Sequence, residues 1–247
     1  YGNLRNVRTG EKLSTKRKLN IITTARHVFI EANSSGLFDG ASPFSEFESW
    51  LKSLDGKSAT AKFESVTPEV ILTNPEIKQL IAYGEANPHT VHPNDLNMVA
   101  FNLSSGLRLG ELFGLTWECV DFEARTLFIK AQITEGVYKE LKTYNQRTVE
   151  LSDDAIHWLK KQRAITRLLE QIDITFLTNE TDKHGVRIVE DKRERFVFLN
   201  PAFDMARPYY RSDSFASRWY NMLTDSGVQV LVGKAKRRRT PNIMRHT

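Results

Sequence analysis

The 247-residue sequence has a single cysteine, Cys119. One thiol excludes a disulfide framework and a cysteine-rich zinc site, and it fits a reducing compartment. Long apolar runs are also missing. No stretch approaches the roughly 18 residues of a membrane-spanning helix, and the first residues lack the apolar core of a signal peptide. No phosphate-binding glycine loop and no zincin helix occurs, so nucleotide hydrolysis and metal-assisted hydrolysis lack their motifs. The pair His89 and His92 has no carboxylate or cysteine at ligand spacing close by and reads as a surface loop. No metal and no cofactor is expected. Internal repeats and low-complexity tracts are absent.

What remains is 26% charged and 40% hydrophobic, an ordinary composition for a folded soluble protein with one large domain or two smaller ones. Lysine and arginine number 35 against 30 acidic residues, a net charge of +5. A basic excess of this size is compatible with a polyanionic partner such as nucleic acid, although many basic proteins bind none.

Between Ser14 and Glu31 the apolar residues Leu19, Ile22, Ala25, Phe29 and Ile30 recur at helical spacing, with Ser14 or Thr15 as N-cap and Gly36 as stop. Lys16, Arg17, Lys18 and Arg26 occupy the rest of that helix, as a solvated face or a DNA-facing one. The glycine- and serine-containing segment from Ser53 to Pro68 is poor in large apolar side chains and marks a boundary, with the linker placed at 56–66. A helix start is expected after Thr67-Pro68, and another at Asn74-Pro75-Glu76, with Ile77, Leu80 and Ile81 as its buried stripe. A strongly apolar helix from Asp95 breaks at Ser104-Ser105-Gly106, and a short helix should run through GELFGLTW. Arg125–Ile133 and Arg147–Leu151 read as two strands paired around an extended hairpin loop. Helix resumes from Asp153 through Leu168, Arg195–Leu199 looks like a third strand, and Ser212–Leu223 forms a helix with Phe215, Trp219 and Leu223 on one face. The expected fold class is therefore mainly α with a small antiparallel β-sheet. The order of elements argues against a doubly wound α/β fold.

The run Ser105-Gly-Leu-Arg-Leu-Gly-Glu-Leu-Phe-Gly-Leu-Thr-Trp117 closely resembles the first arginine box of the tyrosine recombinases of the phage-integrase family. There a glycine turn presents an arginine at the mouth of a helix. A transferring phosphoryl group carries charge on its non-bridging oxygens, and a rigid bidentate guanidinium suits it better than a flexible ammonium. Arg108 is that candidate, and Glu111, on the same helical face, is the group to hold it in orientation. An ordinary surface Arg–Glu pair is the competing reading. The glycine series 106, 110, 114 is not a membrane dimer motif, because Arg108 and Glu111 lie within it.

Glu140-Leu-Lys-Thr-Tyr-Asn-Gln-Arg-Thr-Val-Glu-Leu151 resembles the family's hairpin segment, which makes Lys142 the general acid for the departing 5′ oxygen, with Lys139 its local rival. Arg239-Thr-Pro-Asn-Ile-Met-Arg-His-Thr247 is similar to the second arginine box. Its Arg245 is the second phosphate clamp by that resemblance. The family's histidine position is occupied by Asn242, which can hydrogen-bond a phosphate oxygen but cannot act as acid or base near neutral pH. His246 reads as an anchor of its helix. Lys234, Lys236, Arg237, Arg238 and Arg239 read as backbone phosphate contacts, with a targeting signal or a solvated run as alternatives.

In this family the nucleophilic tyrosine follows the second box, whereas Tyr209, Tyr210 and Tyr220 all precede it. The chain as given is expected not to cleave DNA. The resemblance divides it into residues 1–55, the end of a helical DNA-gripping domain, and 67–247, a catalytic domain short of its end. It implies site-specific recombination of double-stranded DNA at attachment sites, a homo-tetramer on DNA for the full-length protein, a monomer for this piece, and the cytoplasm of a bacterial host. The alternative is a recombinase-derived DNA-binding protein that has lost cleavage. A helix-turn-helix repressor is disfavoured, since no compact recognition-helix pair appears.

Overall fold

A computed structural model describes residues 5, 10, 12–13, 15–40, 70–141, 145–201, 210–233 and 237–247. The chain divides into two compact units, Tyr1–Ser65 and Val66–Thr247. In the first, α1 spans Thr15–Ser34. Ile22 is buried among its described side chains, and Phe29 meets Phe38 edge to face at 5.3 Å. Gly36 ends the helix at φ 68°, where its N–H reaches the Asn33 carbonyl and that of Leu37 reaches Ala32. A left-handed residue is what lets those last carbonyls be satisfied.

In the second unit α2 spans Asn74–Ala86, where Thr73 and Glu76 form a reciprocal capping box. Helix α3, Pro93–Ser105, is buried on every side from Asn94 to Asn102. Such a helix forms the centre of a domain, and its polar residues need internal partners. Asn97 donates to Gln162 at 3.1 Å, Gln162 and Thr166 donate to the Val197 carbonyl at 2.8 and 2.7 Å, and Asn94 accepts from Gln162. These bonds tie α3 to α5, Asp153–Thr166, which is capped by Ser152. Between them lie α4, Leu109–Phe113, and a 3₁₀ turn at Trp117–Cys119. Helix α6, Ser212–Asp225, buries Phe215, Trp219 and Leu223 completely, as their spacing requires. A last 3₁₀ turn covers Pro241–Arg245.

The strands β1 (Val120–Asp121), β2 (Thr126–Ile129), β3 (Ala131–Thr134), β4 (Val137–Glu140), β5 (Arg147–Glu150), β6 (Ile172–Thr181), β7 (Arg187–Glu194), β8 (Leu231–Val232) and β9 (Arg237–Arg238) make three small sheets. Their orders are β1-β2-β5, β3-β4-β6-β7 and β8-β9, with every pair antiparallel except β4–β6. The fold is α+β, helices with small, largely antiparallel sheets.

Several elements differ from the sequence expectation. The strand expected over 125–133 is two strands divided at Lys130, because β2 pairs with β5 while β3 turns back on β4 in a different sheet. The turn is Glu135-Gly136, both at positive φ (55° and 80°), so the expected polar loop contains a tight hairpin. The helix through GELFGLTW stops at Phe113. A Cβ on Gly114 would stand 2.7 Å from Cα of Gln132, so β3 occupies the space that a longer helix would need. Arg195–Leu199 is not a strand but a core-filling run, with Phe196, Val197, Phe198 and Leu199 all buried and one bridge from Phe196 to Thr116. The strands there are β6 and β7, whose polar composition hid them. Helix α5 ends at Thr166, leaving Leu168 exposed.

Candidate active site

Gly106 closes α3 in the left-handed region at φ 65°, ψ 27°, and Asn102 accepts the Leu107 N–H at 3.0 Å. Leu107 is buried, which fixes the chain before it turns into α4. Arg108 therefore emerges as the N-cap of α4 with its side chain 56% exposed. Glu111, in the first turn of α4, has a fully buried side chain and four donors. The Arg108 backbone N–H reaches Oε2 at 3.0 Å and Arg108 Nη1 reaches Oε1 at 2.9 Å. Arg147 supplies a parallel fork, Nη1 to Oε1 and Nη2 to Oε2, both 2.9 Å. Burial alone would raise this carboxyl's pKa, but the bonds from Arg147 and Arg108 and the charge of Arg147 take it down to about 2.

Arg245 arrives from the other end of the unit. Its 3₁₀ turn is anchored by buried Pro241, Ile243 and Met244, and its carbonyl passes 3.7 Å from where a Cβ on Gly106 would stand. The exposed Arg245 side chain holds its proton less tightly than a free arginine, through partial burial and then the charges of Arg108 and Arg147, with Glu111 opposing. Two guanidiniums thus hold one buried carboxylate, and the charge of Arg245 is near enough for Arg108, Glu111 and Arg147 to act on it. Exposed Asn242 precedes Arg245 on the same turn, where residues i and i+3 eclipse, so the two side chains leave on one side. His246 caps the turn, its N–H bonded to the Ile243 carbonyl at 2.8 Å.

Lys142 lies outside the described residues, as do Lys234, Lys236, Tyr209 and the side chain of Lys16. The flanks of Lys142 are well tied. Leu141 donates its N–H to Lys130 and accepts from Asn179 at 2.6 Å, and Gln146 donates to Glu140 at 3.1 Å. Lys139 is half-buried on β4, paired in register with Gln132 and Leu177. In the first unit Arg17 and Arg26 are exposed on α1 and Lys18 is half-buried.

Arg239 contradicts its assignment as a DNA contact. It is 3% exposed, paired with Glu76 and bonded to the carbonyls of Val70, Ile71 and Gln229, so its charge is spent inside the unit. Its neighbours Arg237 and Arg238 do face solvent on β9, with Arg238 stacked 3.7 Å over the Tyr220 ring. The difference lies in the partners, since Arg239 falls just past the end of β9, where Val70, Ile71, Glu76 and Gln229 offer acceptors.

Arg147 is the site residue that motif reading missed. The signal lay in the alternation of Arg147-Thr-Val-Glu-Leu151, which puts Arg147 on the face of Val149, and in the structure both are half-buried while Thr148 and Glu150 are exposed. A basic residue thus stands at an inward position. Among the described tyrosines, Tyr138 and Tyr210 are buried, and burial raises both phenols' pKa, the opposite of what a nucleophile needs. The Tyr210 hydroxyl is donated to Asp95, which also pairs with Arg218 at 3.0 Å. Among the described residues no cluster of His, Cys, Asp or Glu could hold a metal ion, and no helix is long and apolar enough to cross a membrane.

Residues 71–247 match the phage integrase family. The prophage integrase IntR of Escherichia coli (strain K12) is 32% identical over 154 residues, 61% of this chain and 34% of that protein. The fold is similar to that of the Tn1549 transposon integrase in complex with transposon right end DNA, with a TM-score of 0.60 at 18% identity over 95% of this chain and 66% of that one. The same integrase with circular intermediate DNA gives 0.57 at 18% identity, over 95% and 65%. The chain spans 34% of the length of its curated relative and 66% of the solved integrase.

Proposed function

The chain belongs to the phage integrase family of tyrosine recombinases, and from that premise we propose that it serves site-specific recombination of double-stranded DNA by transesterification. A tyrosine attacks the scissile phosphate, a 3′-phosphotyrosyl bond forms, and the P–O5′ bond breaks. The phenolic proton is lost and the 5′ oxygen gains one. Bond energy stays in the covalent intermediate, so resealing to another strand needs no nucleotide. Arg108 and Arg245 bind the non-bridging oxygens as charge grows on them. Lys142 protonates the 5′ oxygen, Glu111 orients Arg108, and Asn242 hydrogen-bonds the phosphate.

The observation that carries this reading is Arg108 offered outward from a buried carboxylate while the Arg245 segment passes beside Gly106, close enough for the two arginine charges to act on each other. Support for DNA as the partner comes from the similar solved integrases, which are complexes with DNA. Residues 1–55 are the end of a DNA-gripping domain in this reading, joined by 56–66 to the catalytic domain at 67–247. Lys16, Arg17, Lys18, Arg26, Lys234, Lys236, Arg237 and Arg238 contact backbone phosphates. The full-length protein works as a tetramer at attachment sites in the bacterial cytoplasm, and residues 1–247 alone are monomeric.

In this reading the attacking tyrosine is none of Tyr209, Tyr210 and Tyr220, which precede Arg245, and residues 1–247 serve in binding DNA. The test uses a version extended by its own gene to the next tyrosine, with a nicked duplex from the element's end. A protein–DNA adduct that survives denaturing electrophoresis, and is lost in Arg108→Ala, is the expected result. Normal cleavage by Arg108→Ala sinks the site. Asn242, without a titratable group, favours the second reading, a recombinase-derived DNA-binding protein. No adduct from the extended protein, together with retained duplex binding, would establish it.

A further inference from the structure

We infer that Arg147 is a positioning residue of this site, neutralising Glu111 so that Arg108 keeps its guanidinium for phosphate. The inference rests on the reading that Arg108 and Arg245 hold a DNA phosphate.

The geometry is specific. Glu111 is fully buried, and Arg147 covers both of its oxygens with a parallel fork, the strongest arrangement between these groups. Arg108 gives the same carboxylate one side-chain bond and its backbone N–H. Exposure grades across the cluster, with Glu111 at 0%, Arg147 at 34% and Arg108 at 56%. The carboxylate is thus the floor, Arg147 its partner, and Arg108 the group offered outward. Arg147 lies close enough to Arg245 for its charge to be felt there, yet its fork is turned onto Glu111.

A buried carboxylate without Arg147 has two ways to recover, and each damages the site. It can draw in the whole guanidinium of Arg108, which a phosphate would then have to pull free. Or it can take up a proton, which removes the acceptor that orients Arg108. With Arg147 in place neither occurs, and the carboxyl stays ionised down to about pH 2. The position is itself held, because Arg147 pairs with Ile129 as the first residue of β5. The strand that follows the Lys142 segment is thereby pinned to α4, so one side chain couples two parts of the active site.

The test follows inorganic phosphate binding to the 247-residue chain through the ¹⁵N signals of arginine Nε–H groups, with Arg108 assigned by its loss in Arg108→Lys. Arg147→Gln should weaken phosphate binding at the Arg108 signal about fivefold or more, as coupled neighbours do. The Glu111 carboxyl, followed by ¹³C, should move from about 2 toward its ordinary 4.5. Arg147→Lys keeps the charge but loses the fork, and should recover only part of both effects. In a Glu111→Gln background the same Arg147→Gln change should matter within about twofold, the scatter of uncoupled sites. Equal losses in both backgrounds, or a folded Arg147→Gln protein with native phosphate affinity, would overturn the inference while leaving Arg108 and Arg245 as clamps. Phosphate binding that survives Arg108→Gln and Arg245→Gln would instead overturn the functional reading itself. If Arg147→Gln does not fold, Arg147→Lys in the two Glu111 backgrounds carries the same comparison.

Discussion

Glu76 and Glu111 occupy the same place in two helices, the first turn of α2 and of α4, and each bonds back to its N-cap backbone. Each also binds an arginine from a distant segment, Arg239 in one case and Arg147 in the other. Around Glu76 every polar arm of the arginine is consumed: Nε on Val70, Nη1 on Glu76 and Gln229, Nη2 on Ile71 and Glu76. Around Glu111 the N-cap is itself an arginine, so the carboxylate holds two guanidiniums and the outer one stays largely in solvent. The first cluster is a clamp that closes the end of the second unit onto α2. The second is a cradle. What separates them is the number of N–H groups left over after the protein's own acceptors are served.

The largest effect should come from the closed cluster. Arg239→Ala removes the ion-pair partner of half-buried Glu76 and the donor to the Val70, Ile71 and Gln229 carbonyls, and a loss of about 3 kcal/mol in urea unfolding is expected. A loss under about 1 kcal/mol would mean that this arginine is not the clamp described here. In the open cluster Arg108→Ala should leave the fold nearly intact, while covalent adduct formation by the extended protein falls by about 10²–10³-fold. A large fall in thermal midpoint with unchanged chemistry would reverse the two roles.

Acid should sharpen the contrast. The Glu111 pKa is depressed in the folded state, so its contribution is complete above its ordinary 4.5 and is lost as pH falls through that value toward about 2. The span corresponds to on the order of 3 kcal/mol. Glu76 is also lowered, against its own desolvation, by bonds from Arg239 and Thr73. Unfolding free energy measured across this range should fall less steeply in Glu111→Gln than in the parent, and an identical slope would show that the Arg147 fork does not hold the charge. The smallest effect belongs to the ribbon beside the clamp. Arg238→Gln should lower the salt dependence of duplex binding by about one phosphate's worth without altering stability, and an unchanged slope would remove Arg238 from the DNA face.

Much of the helical scaffold was legible in the sequence. Capping residues and apolar spacing marked α2, α5 and α6, and Gly106 marked the turn that presents Arg108, since those signals are local. Arg108 and Arg245 were legible as motif positions. The division of 125–133 between two sheets was not, because one run of β-formers serves either sheet and only the partners β5 and β4 separate them. Strands β6 and β7 escaped for a different reason, as β6 is interrupted by threonines, Asp173, Asn179 and Glu180 and the exposed positions of β7 are mostly charged.

The arginines show where the boundary falls. From the sequence alone came the residue types, the glycine turn and the helix starts, each governed by backbone preferences within a few positions. Whether an arginine is spent inside the unit or left at its surface came only from tertiary structure. Arg237, Arg238 and Arg239 are consecutive and chemically identical, yet the last meets Val70, Ile71, Glu76 and Gln229 in the interior. A guanidinium is committed or available according to the acceptors that distant segments bring to it, and those acceptors exist in place only once the chain has packed.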